Sequence, residues 1–136
     1  MTKTELFGKM PNGRPVHRLT LQGGGLRAHV LTLGAIVQDL RLDGVAHPLV
    51  LGASELAPYL GPMGYFGASV GRYANRIGQG QFTLNGQTHD LSRNFRGRHC
   101  LHGGVRGCAE HLWTVASHTQ DSATLTLTLP DGDMGF

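Results

Sequence analysis

Short runs of alternating apolar and polar residues, separated by glycine-rich turns, dominate the chain. Val16 to Leu21 and Leu26 to Leu33 are rich in Leu and Val and flank Gly23, Gly24 and Gly25, a pattern that predicts a hairpin. Ile36, Gln38, Leu40 and Leu42 then alternate against Val37, Asp39 and Arg41 as far as Asp43-Gly44. Asp-Gly is a two-residue turn signal, so a strand is expected on either side of it, the second ending near Leu51. Between Ser54 and Leu60 a single helical turn is expected, with Ser54 as N-cap and Glu55 in its first turn. Pro58 and Pro62 keep it short. Gln81 to Leu91 reads as a hairpin about Asn85-Gly86, since Asn-Gly supplies the positive φ angles of a type I′ turn. Ala123, Leu125, Leu127 and Leu129 alternate with Thr124, Thr126 and Thr128, which places leucines on a buried face and hydroxyls on the other. No window of helical length keeps a 3.6-residue period, and turn signals recur about every ten residues. The predicted class is all-β, an antiparallel β-sandwich or barrel.

Composition narrows this further. A length of 136 residues suits one domain over residues 1–136, and 21 glycines, about twice the usual share of roughly 7%, fit many tight turns. Charged residues are 15% of the chain, below the usual share of about 25%, which excludes a charge-extended disordered polypeptide. The net charge of +3 comes from ten Arg and two Lys against nine acidic residues. Only Arg93, Arg96, Arg98 and Arg106 group together, without the dense basic stripe and interleaved aromatics of a nucleic-acid binder. No apolar stretch near the N-terminus resembles a signal peptide. None approaches the roughly 20 residues of a membrane helix, so a cytoplasmic protein with reduced Cys100 and Cys108 is expected, acting without nucleic acid or membrane. After the last half-buried strand, Pro130-Asp131-Gly132-Asp133 reads as a turn, and Phe136 ends the sequence before a partner strand. The expectation is an incomplete sheet that pairs with a missing C-terminal portion or with another chain.

The densest polar cluster runs from Arg72 to His111, where Arg72, Asn75, Arg76, His89, Asn94, His99 and His102 lie among glycines. If Val70–Ile77 is extended, Arg72, Ala74 and Arg76 share one face, and Tyr73 and Asn75 the other. An arginine fork suits oxygen-rich ligands, although an arginine in a loop equally serves to bond loop carbonyls. His102 directly precedes Gly103-Gly104, which permits close approach of a ligand or of another stretch of backbone. Cys100, His102, Cys108 and His111 are spaced C-x-H-x₅-C-x₂-H, unlike structural zinc sites, so no metal is expected there. A G-x-S-x-G nucleophile elbow, a P-loop and a dinucleotide-binding glycine motif are all absent from the sequence.

Individually weak signals become specific in combination. Gly67, Gly71-Arg72-Tyr73-Ala74-Asn75-Arg76-Ile77, Gly80, Phe82, Leu84, Gly86, Leu91 and Asn94 are followed by Leu101-His102-Gly103-Gly104, Gly107, Trp113 and Pro130-Asp131-Gly132. In this order and spacing the sequence resembles the N-terminal part of the aldose 1-epimerases, the galactose mutarotases. The resemblance covers most of the chain after about Gly61. Arg98, His99, Cys100 and Cys108 depart from the family pattern, which bears on loop shape.

The resemblance implies a galactose mutarotase-like supersandwich that needs neither metal nor cofactor and interconverts the α and β anomers of free hexoses such as galactose and glucose. In that reaction a carboxylate takes the anomeric proton and a histidine protonates the ring oxygen. The ring opens, the C1–C2 bond rotates, and closure gives the other anomer. By motif match, Asn75 and Arg76 bind sugar hydroxyls, and His102 bonds the sugar near its ring oxygen, a substrate-binding and catalytic position. The family's acid histidine and basic glutamate lie beyond the Pro-Asp-Gly turn. Glu5, Glu55 and Glu110, like His111 and His118, match no catalytic motif, so this chain is expected to be inactive alone. Two alternatives stand beside this reading: a non-catalytic carbohydrate-binding module, and a sugar-phosphate epimerase relative suggested by Arg93, Arg96 and Arg98.

Overall fold

A computed structural model describes residues 2–136. The largest unit is a four-stranded antiparallel meander of β1 (Lys3–Lys9), β2 (Pro15–Gly23), β3 (Leu26–Leu31) and β4 (Val37–Leu42). Three two-stranded antiparallel ladders follow: β5 (Arg76–Ile77) with β8 (Cys100–Leu101), β6 (Gln81–Leu84) with β7 (Gln87–Asp90), and β9 (Thr114–His118) with β10 (Ala123–Thr126). Only short 3₁₀ turns interrupt them. The antiparallel all-β class read from the sequence is the observed one. Among the described residues no helix is long and apolar enough to cross a membrane.

Two of the three predicted hairpins form by the expected chemistry. Gly24 and Gly25 turn β2 into β3 at φ 57° and 79°, and Asn85-Gly86 turns β6 into β7 at φ 51° and 78°, the left-handed pairs of a type I′ turn. The strand expected after Asp43-Gly44 does not form. Leu49 donates one backbone bond to Leu40, but Pro48 has no N–H to extend a ladder, and the segment stays irregular. The 3₁₀ turn spans Ala57–Leu60 with Leu56 at its N-cap, so Ser54 does not cap it; Pro58 sits inside the first turn, where its fixed φ belongs. β10 stops at Thr126, because β9 begins opposite it at Thr114 and offers Leu127 to Leu129 no partner. The alternation itself holds through this stretch, with leucines half-buried and threonines exposed.

Val16, Leu31, Leu33, Ile36, Leu56 and Tyr59 form the core between the meander and the 3₁₀ turn. Two contacts lock that turn down. Leu56 lies against Gly8 of β1, and the Tyr59 hydroxyl accepts the Ala53 amide at 2.8 Å. Buried Gln38 donates to the Ala53 carbonyl at 2.8 Å, so a polar residue on the inner face of β4 carries a tertiary link. On the outer side, Arg18 of β2 pairs with Glu5 directly opposite on β1, and Lys3 joins them at 3.1 Å.

Candidate functional site

β5 and β8 are only two residues each, yet they bring the predicted site residues together. Arg76 pairs with Leu101, which sets Asn75 opposite His102. The two residues then bond reciprocally. The His102 amide donates to the Asn75 carbonyl at 2.9 Å, and the Asn75 amide donates to His102 Nδ1 at 3.0 Å. Both have left-handed backbones, Asn75 at φ 62° and His102 at φ 52°. For that reason Val70–Ile77 is not one extended strand: the chain turns at Asn75, and the shared face expected for Arg72, Ala74 and Arg76 does not exist.

The two arginines have different partners. Arg72 donates to the carbonyls of Leu129, Pro130 and Phe136 at 3.1, 2.7 and 3.3 Å, the carbonyl-bonding role open to any loop arginine. Arg76 donates to Asn75 Oδ1 at 2.7 Å and lies 4.4 Å above the Phe95 ring, with no carboxylate paired to it among the described residues. Its guanidinium is held by one amide oxygen and one aromatic face, and the remaining N–H groups are free for a ligand. Arg76 lines a cleft of about 540 Å³ together with Arg72, Tyr73, Ile77, Phe82 and Phe136, within the range of about 300–1,000 Å³ typical of small-molecule sites.

The hydrogen bonding of His102 fixes its chemistry. Nδ1 accepts a hydrogen bond from the Asn75 amide, so the neutral ring carries its own proton on Nε2, which is then a donor. Burial and the nearby Arg76 charge both push the His102 pKa below its ordinary value of 6.5. The unfolded chain therefore binds this proton more readily than the fold does. Stability from this group is complete above about pH 6.5 and falls as the pH drops through the folded value. His102→Gln keeps a side-chain oxygen to accept the Asn75 amide but removes the titration. In urea unfolding at about pH 7.5 and about pH 5.5, the variant is expected to lose less stability on acidification than the parent. Equal losses would rule out a lowered His102 pKa in the fold.

Asn94, named in the polar cluster and in the motif but given no role by the sequence reasoning, is a positioning residue. Its side chain donates to the carbonyls of Leu101 and Gly104 at 2.8 and 2.9 Å and accepts the Leu101 amide at 2.8 Å. One amide thus closes the loop that carries His102. Of the arginines that suggested a phosphate, Arg93 is bound to Asp90 and to the Gln79 carbonyl, and Arg98 to the Gln79 side chain; Arg96 lies over Phe95. Cys100 and Cys108 are free thiols whose pKa values burial pushes up, and no metal-binding group of His, Cys, Asp or Glu occurs among the described residues.

A profile of the aldose 1-epimerase family matches residues 17–136. The chain belongs to the aldose 1-epimerase family. It is 40% identical over 137 residues to a galactose mutarotase from Sus scrofa, covering 96% of this chain and 39% of that protein. An aldose 1-epimerase from Escherichia coli (strain K12) is 33% identical over 130 residues, covering 93% of this chain and 37% of its own length. The crystal structure of a galactose 1-epimerase from Lactobacillus acidophilus NCFM superposes with a TM-score of 0.80 at 28% identity, over 98% of this chain and 40% of that one. The chain therefore spans about two fifths of the length of these epimerase relatives.

Proposed function

We propose that Asn75, Arg76 and His102 form the substrate-holding part of an aldose 1-epimerase cleft for a free hexose such as galactose. The observation that carries this reading is the reciprocal Asn75–His102 bonding, which leaves His102 Nε2–H and the remaining Arg76 N–H groups as donors without a partner among the described residues. A pyranose offers only hydroxyl and ring oxygens, and such a donor pair suits them. Donors fixed before the ligand arrives lose little entropy on binding and can follow charge as it develops on a ring oxygen. The ring-opening step itself needs a base for the anomeric hydroxyl and an acid for the ring oxygen. A neutral imidazole with Nδ1 engaged is a positioning donor, and proton transfer falls to other groups.

Titrating ¹⁵N-labelled chain with galactose tests the cleft. Shifts are expected at Asn75, Arg76 and the His102 loop, with weak affinity of about millimolar order. Arg76→Ala is expected to weaken binding about tenfold or more, the scale of one lost charge-assisted hydrogen bond. No saturable shift at these residues would sink the reading. Polarimetry on fresh α-galactose is expected to show no mutarotation above the buffer rate with this chain alone. Binding by a full-length protein that also lacks turnover would instead favour a carbohydrate-binding module.

A further inference from the structure

Against the His102 ring lies a group that the motif match does not include. The Tyr65 ring lies 4.5 Å from the imidazole, centroid to centroid, tilted by 53°. Its hydroxyl points to Glu110 Oε1 at 3.4 Å, and the other oxygen, Oε2, is buried without a partner. Tyr65 and Glu110 also line one cavity of about 400 Å³ with Tyr59 and Leu33 of the core.

The three residues differ in how firmly they are held. Glu110 ends the 3₁₀ turn Cys108–Glu110, whose Ala109 is buried with its carbonyl packed on Gly34. The Gly34 amide also donates to the His111 carbonyl at 2.8 Å, so this turn is fixed to the β3–β4 connection. Tyr65 sits in the turn-rich segment after Pro62 and is 37% exposed, so packing alone does not set its ring. Glu110 is the fixed acceptor within its reach. We infer that Tyr65 is a positioning residue for His102, walling its imidazole, and that Glu110 anchors Tyr65 to the meander.

This inference rests on the His102 role proposed above but requires no sugar to test. The charged groups facing the set are Arg76 on the His102 side and Arg106 on the Glu110 side. Burial raises the pKa of both Glu110 and Tyr65, and the adjacent carboxylate adds to the rise at Tyr65, as expected if hydroxyl and carboxylate are neighbours.

The experiment is imidazole ¹⁵N NMR of the 136-residue chain, which reads the His102 tautomer and titration midpoint directly. In the parent the Nε2–H form is expected, with a midpoint below the ordinary histidine value. Tyr65→Leu removes the wall, so the midpoint is expected to rise toward the ordinary value. Tyr65→Phe and Glu110→Leu each remove the anchor alone and are expected to give matching, smaller rises. Glu110→Gln keeps an accepting oxygen and is expected to restore parental behaviour. The inference is overturned if Tyr65→Leu leaves tautomer and midpoint unchanged, or if Glu110→Leu shifts them while Tyr65→Phe does not. Should Tyr65→Leu fail to fold, Tyr65→Phe decides: a raised midpoint supports the inference, and a parental tautomer and midpoint overturn it. Absence of galactose binding would refute the sugar cleft without touching this result.

Discussion

Replacing Gly103 with alanine is expected to destabilise the protein by more than about 4 kcal/mol and to release the loop that presents His102. Gly103 has φ 89°, in a region where a side chain is strained, and an added Cβ would lie 1.8 Å from the Gly71 carbonyl oxygen. That oxygen cannot move aside, because it accepts the Cys108 amide at 3.0 Å. Gly107 is packed against the same oxygen, its added Cβ falling at 2.8 Å. Three backbone stretches meet here within van der Waals distance, and only hydrogen atoms fit between them. Urea unfolding measures the loss, and the amide shifts of Asn75 and His102 report whether the corner between them survives. A Gly103→Ala protein within about 1 kcal/mol of the parent would show that the three stretches do not pack as described.

Leu31→Ala is expected to cost about 2–5 kcal/mol, the range for emptying a fully buried leucine site. Leu31 has no exposed surface and belongs to the cluster that joins β2 and β3 to the Leu56–Tyr59 turn. Its backbone is fixed too, with the amide donating to the Ile36 carbonyl at 2.8 Å, so the surroundings are poorly placed to collapse into the void. Leu84, on β6 and 58% exposed, is the matched control, and its replacement by alanine is expected to change stability by no more than about 0.5 kcal/mol. Equal effects in chemical unfolding would mean that the core is not centred on the meander.

The sequence was informative wherever one local interaction decides the geometry. Asn85-Gly86 and the Gly24-Gly25 pair each make a left-handed turn without help from distant residues, and both hairpins were legible. β1 was not. Its Lys3, Glu5 and Lys9 showed only that no apolar leader stands there, and Glu5 finds Arg18 only once the strand pairs. β9, over Thr114–His118, lacks a strong apolar alternation and is stabilised through its pairing with β10 and by His118, which bonds the Thr20 carbonyl at 3.1 Å. The expected cap at Ser54 fails because the helical turn starts three residues later, where Pro58 fits.

The site was legible as a set of residues but not as a shape. Motif spacing named Asn75, Arg76 and His102, and the fold sets them side by side. An extended reading of Val70–Ile77 could not foresee the left-handed turn at Asn75, which depends on a bond from His102, 27 positions away. Nor could spacing separate Arg72, which holds carbonyls, from Arg76, whose donors remain free. Tyr65 meets His102, and Glu110 meets Tyr65, through tertiary packing alone. Each lies in a different turn, and no linear pattern links them.

The bond from the Asn75 amide to the ring of His102 has one more consequence. With one nitrogen saturated by backbone, the imidazole has a single working terminal and cannot pass protons from one side of itself to the other. Loading a second proton onto the ring would break the very contact that shapes the Asn75–Arg76 corner, so charging the histidine and keeping that corner exclude one another. Such a ring is a clamp rather than a conductor.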